Sequence, residues 1–382
     1  MRLLKKRGTG EIFVWTESLA RRADMEEYLG RAIQGPLGEK QTYPSEPIKT
    51  DTIEFCTSAG GIGDAVCALY VACGLANAGF KVLLHTKHQS SLNVEHPGVK
   101  ILPDAKCFDI NDNYDGQLEA AHRGDITSRL DWYLRNLSRQ FDIRDAKPAR
   151  PAKVEKPSRT DGAPFIVLAP ITAGRSRAYP MAHWRRIAKL LLPKYRVLVL
   201  AGEDGRQAVD DGFFGMPVDR HIGLPIDTAL RYYVNAECVV ANDSGPAHLA
   251  GLYGTPCVAV ISQARPDFLF ECSPTVTCVT AQASCSGCYW QQDGGWDRVC
   301  EMGCSALYTI KPEEVCHEVE RACAISEASR DEHHLHTDGF AGEPTGHGRV
   351  RARAEAGVKA ETGAKGRTSA GGKSRTRAGA EG

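Results

Sequence analysis

The sequence predicts an α/β protein of two Rossmann-like domains facing a cleft, followed by a disordered C-terminal tail. Three observations carry this expectation. Short apolar runs alternate with helical spacings along most of the chain, the pattern of a parallel sheet covered on both faces. A proline-rich passage, Ala146 to Pro164 (AKPARPAKVEKPSRTDGAP), interrupts that alternation and reads as an interdomain linker. From about Glu327 to Gly382, Gly, Ala, Arg, Lys, Thr and His dominate and Phe340 is the last aromatic, too little apolar surface to offset chain entropy. The expected divisions are an extension (1–50), a first Rossmann-like domain (51–145), the linker (146–164), a second Rossmann-like domain (165–326) and the tail (327–382).

The elements follow in order. In residues 1–50, Glu11 to Glu17 (EIFVWTE) reads as an edge strand and Leu19 to Ile33 as a helix, with no role assigned to either. Thr52 to Thr57 (TIEFCT) is a strand, Asp64 to Asn77 has the helical spacing of Val66, Leu69, Tyr70 and Cys73, and Lys81 to His85 (KVLLH) is a second strand. After the linker come strand Phe165 to Ala169, a helix from Met181 to about Leu192 and strand Arg196 to Ala201. A helix near Thr228 to Asn235, strand Cys238 to Asn242, a helix near Gly245 to Tyr253 and strand Cys257 to Ile261 complete the series.

Composition removes several function classes. The 382 residues are 42% hydrophobic and 25% charged, a globular balance long enough for two cores at about 100–200 residues each. Lys and Arg number 47 against 47 Asp and Glu, so bulk charge does not hold this chain to nucleic acid or anionic lipid, a local basic patch excepted. No apolar run approaches the ~20 residues that span a bilayer. Met1 to Arg7 (MRLLKKR) begins like a signal peptide, but Gly8, Gly10 and Glu11 stand where an apolar stretch should follow. Of the 14 cysteines, Cys67, Cys73, Cys238 and Cys257 lie in apolar segments, which suits buried thiols in a reducing cytoplasm.

Three segments could carry chemistry. Gly60-Gly61-Ile62-Gly63-Asp64 joins a strand to a helix, where backbone N–H groups favour an anion or polar ligand. It is neither a dinucleotide fingerprint nor a P-loop, because the spacing and the Lys-Ser/Thr pair are absent. Asp64 there is either a helix cap or a base placed to take a proton from an attacking hydroxyl. Asn242-Asp-Ser-Gly-Pro-Ala-His248 leaves a strand and opens an apolar helix, with Ser244 and Gly245 at its start and Pro246 in its first turn. That is a phosphate seat or simply a well-capped helix with Asp243 holding the turn. Gly174-Arg-Ser-Arg-Ala-Tyr-Pro180 follows a strand and offers two arginines beside a hydroxyl, suited to a diphosphate or to a solvated loop.

Together these segments resemble the ADP-heptose lipopolysaccharide heptosyltransferases, glycosyltransferase family 9, which have the GT-B fold. The residues that carry the resemblance are Gly61-Ile-Gly-Asp64-Ala-Val66, Arg177-Ala-Tyr-Pro180 with His183-Trp184, Ala201-Gly-Glu-Asp204, His221-Ile-Gly-Leu-Pro225, and above all Asn242 to Val260 (NDSGPAHLAGLYGTPCVAV). The resemblance implies that Asp64 is the catalytic base and Arg177 stands for the family's donor-phosphate lysine. It places Asp243, Ser244, Gly245 and His248 in the donor-phosphate loop, Gly61 and Gly63 in the first-turn loop at the cleft, and Glu203 near the donor ribose. Arg for Lys at position 177 keeps the charge and adds a fork. The first domain then binds an acceptor, in reduced form, and the second a nucleotide-sugar donor.

Cys285-x2-Cys288-x11-Cys300-x3-Cys304 has spacing that suits a structural four-thiolate zinc site, with buried thiols or a disulfide as the alternative. The functional expectation is an inverting, metal-independent glycosyltransferase, needing no catalytic cofactor, that moves a heptose-like sugar from a nucleotide-diphosphate donor to a hydroxyl of a glycan or lipid-linked glycan. No nucleic-acid partner and no membrane span are expected, peripheral membrane contact is allowed, and the cytoplasm is the expected compartment. A non-catalytic sugar-nucleotide or glycan-binding protein and a GT-B sugar-nucleotide epimerase are the alternatives.

Overall fold

The computed structural model describes residues 44–58, 60–111, 128–158, 163–288 and 304–325 (Arg175 by its backbone alone), and the backbone of residues 3–6, 12–14, 25–28 and 326–337. Strands β1 (Leu3–Lys6), β2 (Ile12–Val14) and β3 (Met25–Tyr28) form an antiparallel sheet with β1 in the centre. The helix expected over Leu19–Ile33 is therefore corrected, since Met25–Tyr28 pairs along β1 with Tyr28 opposite Leu3. A ladder to a distant strand overrides local helical propensity.

The next unit is β4 (Thr52–Cys56), α1 (Ile62–Asn77), β5 (Lys81–His85), β6 (Val94–Glu95), β7 (Val99–Leu102) and α2 (Arg129–Gln140). Strands β4, β5 and β7 are parallel neighbours in that order. The other edge of β4 meets Asp109 in a parallel bridge, closed by Cys56 N–H to Phe108 carbonyl at 2.8 Å and Ile110 N–H to Cys56 carbonyl at 3.0 Å. Helix α1 is buried from Ala65 to Leu75, hence its nearly continuous run of small and apolar residues. Helix α2 starts where Ser128 accepts the Asp131 N–H at 3.1 Å, and it buries Leu130, Tyr133 and Leu137 on one face.

Residues 146–158 of the proline-rich passage are held rather than free. Gly74 of α1 has no room for a Cβ because the Lys147 carbonyl occupies it, and Ala149 N–H donates to the Tyr70 carbonyl at 2.9 Å. Strand β8 (Lys153–Val154) pairs with β6.

The remaining strands are β9 (Phe165–Ala169), β10 (Arg196–Ala201), β11 (Asp219–Ile222), β12 (Cys238–Asn242), β13 (Cys257–Ile261) and β14 (Val276–Thr280). Between and after them lie α3 (Met181–Leu191), α4 (Arg206–Gly212), α5 (Ile226–Asn235), α6 (Gly245–Tyr253), α7 (Pro266–Phe270) and α8 (Pro312–Thr337). All six strands are parallel, in the order β11-β10-β9-β12-β13-β14. Strands β9, β12 and β13 are buried at every residue, which is why they read as unbroken apolar runs. One face, with Ile166, Leu168 and Val240, packs on Trp184, Ile187 and Val319. The other, with Val167, Val239 and Ala241, belongs to a core continuous with Val66, Leu69 and Tyr133.

Arg150 reinforces that continuity by donating to the Gly251 and Leu252 carbonyls in the last turn of α6, at 3.0 and 2.8 Å, and to the Cys272 carbonyl at 2.8 Å.

The start of the predicted tail is also corrected, because α8 runs through Glu327 to Thr337. A helix nucleated by the buried Val315 and Val319 extends cheaply into neighbouring helix formers. The rest of the predicted tail lies outside the described residues. Among the described residues, no helix is long and apolar enough to cross a membrane.

Candidate functional site

Strand order locates the site before any side chain is considered. In the large sheet the chain steps outward from β9 to β10 and β11, then returns to the other side of β9 with β12. Ligands of such sheets bind at the carboxyl ends of the two strands flanking the reversal, here after Ala169 and Asn242. The small sheet reverses in the same way. From β4 the chain moves out to β5 and β7 and returns to the free edge of β4 at Asp109, so Gly60 to Asp64 and Asn111 stand at a second reversal.

The two reversals meet. A Cβ on Gly63 would stand 2.7 Å from Cδ2 of His248, and one on Gly245 would collide with Cγ2 of Ile62. Glycine at these two positions lets the first turns of α1 and α6 touch. This gives Gly63 and Gly245 a packing role alongside the ligand role the resemblance implies.

On the β12 side, Asn242 is fully buried and ties three segments together. Its Nδ2 donates to the Pro170 carbonyl at 2.7 Å and its Oδ1 accepts the Tyr179 N–H at 3.0 Å. Arg177, closing the 3-10 turn Arg175–Arg177, donates from Nη1 to the Asp243 carbonyl at 2.9 Å. Ser244 takes the N-cap position of α6, yet its hydroxyl donates back to the Asn242 carbonyl at 3.2 Å and no side chain caps the helix. Asp243 is buried, with no partner for Oδ2. Burial pushes its carboxyl up, against the pull of Arg177 and Arg129. His248 lies against the Phe270 ring at 4.7 Å, and burial, aided by Arg129, pushes it down to about 4, so the ring is neutral near pH 7.

On the facing side Asp64 is the third residue of α1, and both readings of it hold together. Its Oδ2 accepts the Gly61 N–H at 2.8 Å, a capping contact. Its Oδ1 accepts from Arg129, and the Tyr133 hydroxyl lies 3.2 Å away. Burial raises the carboxyl, but Arg129, the Gly61 N–H, His248 and Tyr133 outweigh it and hold Asp64 below its ordinary value. The group is an ionised, oriented carboxylate at neutral pH.

Arg129, Tyr133 and Asn111 were not anticipated from the sequence. Ser128 with Asp131 was the available signal, a cap opening a helix whose first residue is a cation.

Glu203 follows β10 in the 3-10 turn Glu203–Gly205, exposed and bonded to Arg206 at 2.7 Å, which lowers its carboxyl. Beside it, at the carboxyl ends of β10 and β11, a cavity of about 160 Å³ is lined by Leu200, Gly202, His221, Leu224, Tyr233 and Leu249. Gly61 leaves open space beyond the Asp64 carboxylate.

The four-cysteine set is not assembled among the described residues. Cys285 is exposed, Cys288 and Cys304 are buried, and Cys304 packs in the core with Ala281 and Leu307. No group of three or more His, Cys, Asp or Glu among the described residues is placed to hold a metal ion, and Cys300 lies outside them. The four-thiolate expectation includes Cys300 and so lies partly outside the described residues.

Residues 126–294 match the family model of Glycosyltransferase family 9 (heptosyltransferase), a stretch that includes Arg129, Arg177, Glu203, Asp243 and His248 and leaves Asp64 outside. Among solved structures, the chain is similar to Escherichia coli ADP-heptose lps heptosyltransferase II, at 14% identity over 72% of this chain and 99% of that one, with a TM-score of 0.51. It is also similar to a glycosyl transferase family 9 protein of Veillonella parvula, at 14% identity over 72% and 97%, TM-score 0.52. For E. coli heptosyltransferase WaaC with ADP the values are 13%, 71% and 99%, TM-score 0.50. Comparison with curated proteins gives no match. The structural likenesses show the fold, two Rossmann-like halves facing a cleft in the GT-B arrangement.

Proposed function

We propose that this chain, a glycosyltransferase with a glycosyltransferase family 9 (heptosyltransferase) domain, transfers a heptose-like sugar with inversion and without a metal ion. The donor is a nucleoside diphosphate sugar, and the acceptor is a hydroxyl of a glycan or lipid-linked glycan. The observation that carries the reading is the contact between the first turns of α1 and α6, Gly63 against His248 and Ile62 against Gly245. It sets an ionised carboxylate from one half over the anion-favouring helix start of the other.

In this reading the diphosphate lies at the uncapped start of α6 beside Arg177, and the base enters the cavity between Leu200 and Tyr233 near Glu203. The sugar then meets Asp243, whose unpartnered Oδ2 suits a sugar hydroxyl. Asp64 takes the proton as the acceptor O–H bond breaks and its oxygen bonds the anomeric carbon. The bond from that carbon to the phosphate oxygen breaks, and its electron pair leaves with the diphosphate. Attack from the face opposite the leaving group inverts the centre. Arg177 and the helix start stabilise the charge developing on the diphosphate, the task a metal ion performs elsewhere. Heptose, and lipopolysaccharide as the acceptor class, are drawn from what the similar E. coli enzyme is named for. Action on a lipid-linked acceptor from the cytoplasm requires only peripheral membrane contact.

Asp64→Asn tests the reading. Transfer from ADP-heptose or a related donor should collapse by about two orders of magnitude or more while nucleoside diphosphate affinity persists. Undiminished transfer would remove Asp64 as the base, and transfer abolished by a chelator would remove metal independence.

A further inference from the structure

Asp64 is held by groups from two separate stretches of chain. Gly61 N–H meets Oδ2, and Arg129 and Tyr133 meet Oδ1 from one face of α2, four residues apart. We propose that Tyr133 and Asn111 are positioning residues for Asp64, a two-step hydrogen-bond relay that fixes the carboxylate and leaves Oδ2 to receive the proton. This rests on the reading of Asp64 as the base.

Hydrogen-bond accounting supports the relay. The Tyr133 side chain is 2% exposed, so its hydroxyl must find partners inside the protein. It lies in hydrogen-bond contact with both Asp64 Oδ1 and the side-chain oxygen of Asn111, two acceptors for one proton. In the same arrangement Nδ2 of Asn111 is buried without a partner. A half-turn of the Asn111 amide would set Nδ2 toward the Tyr133 oxygen and relieve the competition of two acceptors for one proton. Nδ2 then donates to the Tyr133 oxygen, and the Tyr133 proton is committed to Asp64. Burial and the Asp64 charge keep the phenol far above its ordinary value, so Tyr133 remains a donor at working pH.

The backbone explains why Asn111 reaches this place. It follows the parallel bridge on the free edge of β4, with its N–H on the Asp109 carboxylate at 2.9 Å. The amide end of its side chain comes within 2.8 Å of where a Cβ of Gly60 would stand, so the glycine loop gives the relay room. With Oδ1 occupied by Arg129 and Tyr133, the open acceptor direction of the carboxylate is at Oδ2, beyond the single Gly61 contact.

The test is the pH dependence of kcat for Tyr133→Phe, Asn111→Ala and the double variant, with donor KM and unfolding midpoint measured alongside. Tyr133→Phe removes a donor to the ionised form, so the acid limb should move to higher pH and kcat fall about tenfold, with donor KM within about twofold. Asn111→Ala, at a partly exposed site, should move the limb the same way by less. The double variant should be no worse than Tyr133→Phe, because Asn111 acts through it. An unmoved acid limb in both single variants, or full additivity in the double, would overturn the relay. Asp64→Asn separates the two levels: dead enzyme with an unmoved limb in Tyr133→Phe refutes the relay alone, whereas active Asp64→Asn refutes the base itself.

Discussion

Arg129, the first residue of α2, donates to the carboxylate of Asp64, the third residue of α1. The anion suits the positive end of its helix, but the cation stands at the positive end of its own, where a helix by itself disfavours it. Arg129 is therefore held by its partner rather than by its helix, and the pair joins two elements separated by most of the small sheet.

Arg129→Met should destabilise the protein by about 2–4 kcal/mol near neutral pH, because the ion pair is mostly buried, 12% and 22% exposed, and its loss strands a carboxylate. The Asp64 carboxyl lies below its ordinary 3.8, so its stabilising contribution is present above that value and lost as pH falls through the lowered one. Urea melts of wild type and variant should thus diverge at neutral pH and converge in strong acid. A gap independent of pH would show that Arg129 acts by packing alone.

His248 has the same sign for a different reason. Its folded value, pushed down to about 4 from an ordinary 6.5, means the unfolded chain takes up a proton first as the solution is acidified. Stability from this site is whole above 6.5 and declines toward 4, by a total on the order of 3 kcal/mol. His248→Gln should flatten that part of the stability curve, and donor affinity in wild type should show no histidine step near neutral pH. A histidine-like step in calorimetric titrations would mean the ring is charged when free.

Gly245→Ala should separate the two helix starts, since the new methyl collides with Ile62. A cost of about 1–3 kcal/mol is expected, with loss of transfer, and Ile62→Ala in the same chain should recover part of both. The thermal midpoints of the four members of this cycle decide it: strict additivity would mean the two residues do not meet.

Arg177→Ala and Ser244→Ala should each weaken a nucleoside diphosphate by about 1–3 kcal/mol and the matching nucleoside much less. Arg177 also holds the Asp243 carbonyl, so its variant should lose stability too, whereas Arg177→Lys should keep most of the diphosphate affinity. Calorimetry with both ligands distinguishes the outcomes, and equal losses for the two would place these side chains away from the phosphates.

Local periodicity alone determined the buried strands Phe165–Ala169, Cys238–Asn242 and Cys257–Ile261 and the helices between them, because a strand buried on both faces must be apolar at every position. The motif from Asn242 to His248 was legible for the same reason: the strand end, the cap and the proline turn are consecutive residues. Pairing over distance was not legible. Met25–Tyr28 became a strand through β1. The strand order that brings the chain back beside β4 and β9, and with it the meeting of Asp64, Arg129, Tyr133 and Asn111, is decided by crossovers between elements far apart in sequence. No single segment records that geometry, because each of those side chains takes its role from a partner on another element.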